Sequence, residues 1–289
     1  MPAEHFAAYR LIAALWILSG AAMLAQPAPD ALPPVQAQAL VERALANELR
    51  AAQDGAHPMR YVLHKASPRL TSTKEMIETK DGAVARLVAI NDQPLNAANE
   101  QKEQARLDAL LRDPGQQRHR KQAQDADFAR AIKVLRVLPS AFLYEYAGPE
   151  TGSAGTTEKF TFKPNPSFDA PDLETQVLTA MSGELWIDAT SERVERLDGR
   201  LQQDVDFGWG ILGRLYKGGW IKIEQANVCG DQWRTVRFQM SMSGRVFWRT
   251  RAFDTTEEQS QFAPVPVGLG YAQAIGMLRS DSAKVSPSP

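Results

Sequence analysis

The stretch from Glu184 to about Phe253 constrains the fold more than any other. Five runs within it, ELWID, RVERLDGRLQ, WIKIEQ, WRTVRFQMSMSG and RVFWRTRAF, alternate apolar and polar residues and are separated by turn residues at short intervals. That spacing belongs to an antiparallel sheet of consecutive hairpins. In the fourth run Val236, Phe238, Met240 and Met242 point one way and Thr235, Arg237, Gln239 and Ser241 the other, so one face is dry and one wet. Upstream, MRYVLHKAS and TSTKEMIETKDGAVARLVAINDQP supply further strands with a hairpin signal at Asp81-Gly82, and KFTFK places Phe160 and Phe162 on one side.

Elsewhere the period changes to 3.6 residues. Val41, Leu45 and Leu49, with Leu40 beside them, mark an amphipathic helix closed by Gly55 and Pro58. Asn96 caps a second helix carrying Leu107, Leu110 and Leu111. Asp113-Pro114 starts a third, with Phe128, Ala131, Ile132, Leu135 and Leu138 in one stripe, charges at Arg118, His119, Arg120 and Lys121, and Pro139 as its stop. Two amphipathic helices inserted between strands need a sheet face to bury against, which makes them a candidate lid. A short helix is predicted from Leu173 through Val177 to Met181, capped by Asp172 and ended by Gly183. GPETGSAGTTE is predicted to be a mobile loop.

Residues 1–25 have the layout of a secretory signal peptide: Arg10, an apolar run from Leu11 to Leu24, then small residues. The run is shorter than the ~20 residues that span a bilayer, so a retained anchor is the weaker alternative. Residues 26–262 are read as one domain with a single core, and 263–289 as a flexible tail, because APVPVGLG and SDSAKVSPSP are rich in proline and serine. The 289 residues are 44% hydrophobic and 23% charged, enough for a sizeable core. With Lys+Arg 33 against Asp+Glu 34, no bulk charge draws the chain to nucleic acid. Cys229 is the sole cysteine, which rules out an internal disulfide and reads as a packed or turn-flanking thiol.

Catalytic chemistry is not legible. The histidines at 5, 57, 64 and 119 form no pair with metal-ligand spacing, and HExxH, CxxC and GxSxG are absent. The chain is therefore expected to be neither an enzyme nor a metal or cofactor binder. Asp204 and Asp206 project from the same side of a strand. They are either a surface pair balanced by Arg200 and Arg214 or, on the sharper reading, an acid and base. In DFGWGILGRLYKGGW the glycines at 208, 210, 213, 218 and 219 do not fit a dinucleotide turn. They mark a bend in the sheet, or else Trp209, Ile211 and Leu212 form an apolar lip at the mouth of a cavity.

The order of hairpin, helical insertion, short strand and helix, followed by SGELWIDATSERVERLDGRLQQDVDFGWGILGRLYKGGWIKIEQ and SMSGRVFWRTRAF, resembles exported bacterial proteins of the lipoprotein-carrier superfamily that includes LolA, LolB and RseB. The resemblance covers nearly the whole chain after residue 25. It implies an α+β fold, a single curved antiparallel sheet or unclosed half-barrel with helices over its concave face, in the periplasm of a diderm bacterium. It also implies a partner that is a lipid, an acyl chain or a lipidated protein. No lipid-attachment cysteine like that of LolB is present. On this reading the ligand would meet Phe128, Ile132 and Leu135 on the lid, Val236, Phe238, Met240 and Met242 on the sheet, and Trp209, Ile211 and Leu212 at the lip. The alternative is a module that binds another envelope protein and has no small ligand.

Overall fold

The alternating runs join one antiparallel sheet, but RVFWRTRAF is not one strand: a strand runs through Gly244 to Val246, and the next opens at Arg249. The computed structural model describes residues 32–153, 155–207, 213–246 and 248–285. In chain order, α1 (Pro34–Ala52) precedes the meander β1 (Met59–Ser67), β2 (Leu70–Ile77), β3 (Val84–Ile90) and the two-residue β4 (Gln93–Pro94). Next come α2 (Ala97–Arg112), α3 (Pro114–Ala141), the hairpin β5 (Phe142–Thr151) and β6 (Thr156–Pro164), and a short α4 (Leu173–Gln176). Then follow β7 (Met181–Asp188), β8 (Arg193–Leu201), β9 (Val205–Phe207), β10 (Gly213–Leu215), β11 (Trp220–Cys229), β12 (Gln232–Val246), β13 (Arg249–Pro264) and α5 (Tyr271–Val285). The strand order is β4-β3-β2-β1-β13-β12-β11-β8-β7-β6-β5, with β9 and β10 extending the sheet along β12. Because β4 and β5 are opposite ends of this order and do not pair, the sheet is not closed.

Directly opposed residues in an antiparallel ladder share a face. One row therefore runs from Tyr146 through Phe160, Leu185, Leu197 and Ile223 to Phe238. It continues as Glu257 and Lys65, which pair at 2.6 Å. The neighbouring row on the other face is Lys159, Trp186, Arg196, Glu224, Arg237 and Glu258. There the Arg196 guanidinium lies 4.2 Å from the Trp186 ring centre, and Arg237 meets Glu258 at 3.0 Å. Over the first row α1 buries Ala37, Leu40, Val41, Ala44 and Leu45, and the second half of α3 buries Ile132 and packs Leu135 and Leu138 against the same core.

The helix starts follow local chemistry. Asn96 accepts from the Asn99 amide at 2.9 Å, Asp113 from the Gly115 amide at 2.9 Å, and Asp172 from the Thr175 amide at 3.0 Å. The ends differ from expectation. Pro139 lies inside α3, which runs on to Ala141. The helix begun at Leu173 gives way to a 3₁₀ turn, and Met181 already opens β7. Gly183 sits in that strand because an added Cβ there would lie 1.9 Å from the Asp198 carbonyl oxygen. Most of GPETGSAGTTE is strand rather than loop, as β5 reaches Thr151 and β6 resumes at Thr156.

The largest correction concerns the single core and the C-terminal tail. Residues 271–285 form α5, and its Ala274, Ile275 and Leu278 join Ile77, Val84, Leu107, Leu110, Val265 and Leu269 in a second buried cluster. Ile77 opposes Arg60 on one side and Val84 on the other, out of phase with the Lys65 row, so α2 and α5 cover the other face of β1–β3. Arg86 to Glu100 at 3.0 Å, and the Leu87 amide donating to Glu103 at 2.8 Å, hold α2 there. Proline-rich composition hid this because the prolines lie before the helix or at the extreme end, while 271–280 carries the apolar residues. Ile275→Ala is expected to destabilise the protein by about 2–4 kcal/mol in urea unfolding, a loss that an unpacked tail would not produce.

Candidate functional site

The inner face of the sheet is not completely filled. Between α1, α3 and strands β7, β8, β11 and β12 lies a cavity of about 410 Å³. Its roof is Leu45, Ala51 and Ala52 of α1 with Ala131, Leu135 and Leu138 of α3, and its floor is Leu185, Val194, Leu197 and Ile223. Trp233 and Thr235 close one side. The hollow exists because α1 and α3 present small residues, Ala51, Ala52 and Ala131, to a floor of branched side chains.

One end of the cavity is polar. Glu48 accepts from Arg193 Nε at 2.7 Å and Nη2 at 3.1 Å, from the Val194 amide at 3.0 Å and from Gln225 at 2.9 Å. The two charged side chains are only 11% and 12% exposed. Arg43 to Glu192 at 3.0 Å adds a second tie between α1 and the turn before β8. α1 is thus fastened to the sheet along one side. α3 is held at its start, at Lys133, which meets Asp172 of α4 at 3.1 Å, and near its end. At its start Gln117 donates to the Asp81 carbonyl at 2.7 Å, and Gln124 accepts from the Ala83 amide at 2.9 Å. Near its end the Tyr144 hydroxyl donates to the Leu138 carbonyl at 3.0 Å, and burial pushes that phenol well above its ordinary pKa. Between these ties, residues 125–131 are exposed. A second, more polar hollow of about 380 Å³ shares Ala51, Ala52 and Arg234 with the first and is lined by Asp54, Glu78 and Lys80. A hydrogen bond from His57 holds the Asp54 carboxyl below the usual range.

The residues singled out from sequence are distributed unevenly. Leu135 lines the cavity, Ile132 is buried but does not line it, and Phe128, at 45% exposure, faces out and does not line it either. The lid is α1 with α3, not α2 with α3. Phe238 and Met240 share the inner face with Ile223 and Ile221 but line none of this cavity, and Met242 packs near Leu201 beside Gly219. Val236 departs from the expected alternation. A bulge pairs Glu224 with Arg237 and Gln225 with Thr235, which leaves Val236 as the extra residue and puts Thr235 at the cavity. Trp209, Ile211 and Leu212 lie outside the described residues. The residues missed by sequence reasoning, Leu185, Leu197 and Ile223, occupy alternating strand positions, but alternation alone does not say which stretch of a long strand lies under a helix.

Asp206 is bidentate to Arg214, with contacts of 2.5 and 2.9 Å across the β9–β10 ladder, and Asp204 accepts from the Lys217 amide at 2.8 Å. The hydrogen bond to Asp206 raises the Arg214 pKa. This geometry is that of an exposed cross-strand ion pair. Cys229 is exposed at the turn before β12. Among the described residues no cluster of His, Cys, Asp or Glu is placed to hold a metal ion, and no helix is long and apolar enough to cross a membrane.

No family model and no curated protein matches the chain. A solved structure from Vibrio parahaemolyticus, named for an outer membrane lipoprotein-sorting protein domain, is similar over 84% of this chain and 99% of its own, with 10% identity and a TM-score of 0.31.

Because Glu48 is the buried charge through which α1, β8 and β11 meet, Glu48→Ala is expected to leave Arg193 uncompensated and to cost about 3–5 kcal/mol in chemical unfolding. Replacing Glu48 and Arg193 together by apolar residues should recover most of that loss.

Proposed function

We propose that this chain is exported through residues 1–25 and carries or senses an amphiphile, a lipid, a free acyl chain or the acyl chain of a lipidated protein, between the sheet and α3. The observation that supports this reading most is the apolar cavity of about 410 Å³ between helix and sheet, within the ~300–1,000 Å³ of small-ligand sites. Each methylene moved there from water contributes ~0.8 kcal/mol. The ligand chain would lie along Leu135, Leu197 and Ile223, and its polar end would turn toward Arg234 and Lys80 in the adjoining hollow. In this reading α3 is the element that yields, because residues 125–131 are exposed and Gln117, Gln124 and Lys133 reach the turn before β3 and α4, whereas α1 is fastened to the sheet through the buried Glu48. A second reading, recognition of an envelope protein by strand addition, is favoured by β5, which has a ladder partner on one side alone among the described residues.

The test is native mass spectrometry of the protein isolated from its own envelope, followed by titration with a fluorescent fatty acid. A co-purifying acyl lipid is expected. Leu135→Trp and Leu197→Trp, which fill the cavity, should each weaken probe binding on the order of tenfold or more while circular dichroism stays unchanged. Arg118→Glu on the exposed side of α3 should leave binding intact. No bound lipid, together with probe binding indifferent to both tryptophans, would sink the carrier reading.

A further inference from the structure

We propose that the end of the molecule formed by the β12–β13 turn and α4 docks on an anionic phospholipid bilayer. This inference does not depend on what the cavity holds. Residues 244–253 read GRVFWRTRAF, with three arginines and no acidic residue. In their midst Trp248 is 81% exposed, and Phe253 at the end of the run is 44% exposed. Val246 opposes Arg249, Gly244 opposes Arg251 and Met242 opposes Phe253, so Arg249, Arg251 and Phe253 alternate onto one face of the hairpin. Leu173 of α4, 47% exposed, joins Phe253 in lining an open hollow of about 380 Å³ with Val177, Phe207 and Leu215.

A single exposed apolar residue needs no explanation, but Leu173 and Phe253 lining one hollow, with Trp248 exposed in the same hairpin, form a patch that water penalises. Two features decide what covers it. The first is shape. Pairing of β13 with β1 ends at Thr256, so among the described residues Arg249–Phe253 bonds to β12 alone, and on its far side β12 bonds to the three residues of β10. Among the described residues the patch therefore sits on a narrow projection, unlike the broad face that a stable protein partner buries. The second is charge. Arg249 and Arg251 follow an exposed tryptophan in the chain and Arg245 precedes it, and a lipid headgroup layer accepts that combination: indole settles at the level of the headgroups, and arginine is drawn to an anionic leaflet within a Debye length.

The full chain supplies its own control, because Cys229 lies at the opposite end of β12 from the projection. One sample carries an environment-sensitive fluorophore on Cys229. Another carries it on Thr250→Cys in a Cys229→Ser background. Vesicles of phosphatidylcholine mixed with phosphatidylglycerol should blue-shift the label at position 250 and leave the label at 229 unchanged. Pure phosphatidylcholine should give a smaller response at 250, and Arg249→Glu with Arg251→Glu should weaken the anionic response on the order of tenfold or more. Trp248→Ala, a turn change that leaves both cores intact, should weaken it as well. The proposal is overturned if position 250 ignores both vesicles, if both labels respond alike, or if the charge reversal has no effect. A failure of fatty-acid binding in the cavity leaves every one of these readouts unchanged, so the two readings fail separately.

Discussion

An antiparallel sheet with two unpaired ends cannot enclose its own inner face, and that constraint organises the molecule. The apolar row from Tyr146 to Phe238 would face water without helices laid across it. α1 answers the need along β8 and β11, held by the carboxylate of Glu48, which takes four hydrogen bonds in a site nearly closed to solvent. A charge so enclosed is tolerated because each lone-pair direction is used, and it fixes the position of α1 more sharply than packing could. α3 completes the cover, but with alanine at 131 and leucines spaced above the floor it does not reach everywhere, and the cavity is what remains.

The inner row is not apolar throughout. Beyond Phe238 it passes to Glu257 and Lys65, which satisfy one another. From that point the burial changes sides, and α2 and α5 cover Ile77 and Val84 on the opposite face of β1–β3. One sheet therefore serves two hydrophobic layers on opposite faces at different ends, with the crossover marked by an ion pair.

Much of this was legible one residue at a time. Asn96, Asp113 and Asp172 each cap the helix their sequence context predicts, because a cap is a contact within three residues. The pairing of Asp206 with Arg214 was readable for the same reason, the two being joined by one short hairpin. Phe128 falls on the apolar stripe of α3 that marks the lid, yet in the folded chain it faces water. Strict alternation puts Val236 inward, and one bulge removes it. The roof contributed by α1 was missed, since nothing between residues 34 and 52 states which strands, more than 130 residues later, they will lie on.

Alternation, capping and turn chemistry, all properties of neighbouring residues, determined by themselves that this chain would make a sheet of hairpins with one dry face and amphipathic helices to cover it. The tertiary structure alone decided which helix lies on which strands, that 271–285 is part of the fold, and that a hollow is left between Leu135 and Ile223. Those outcomes depend on volumes and registers brought together across the length of the chain, and a mismatch of a few methyl groups between two distant surfaces has no signature in either segment read alone.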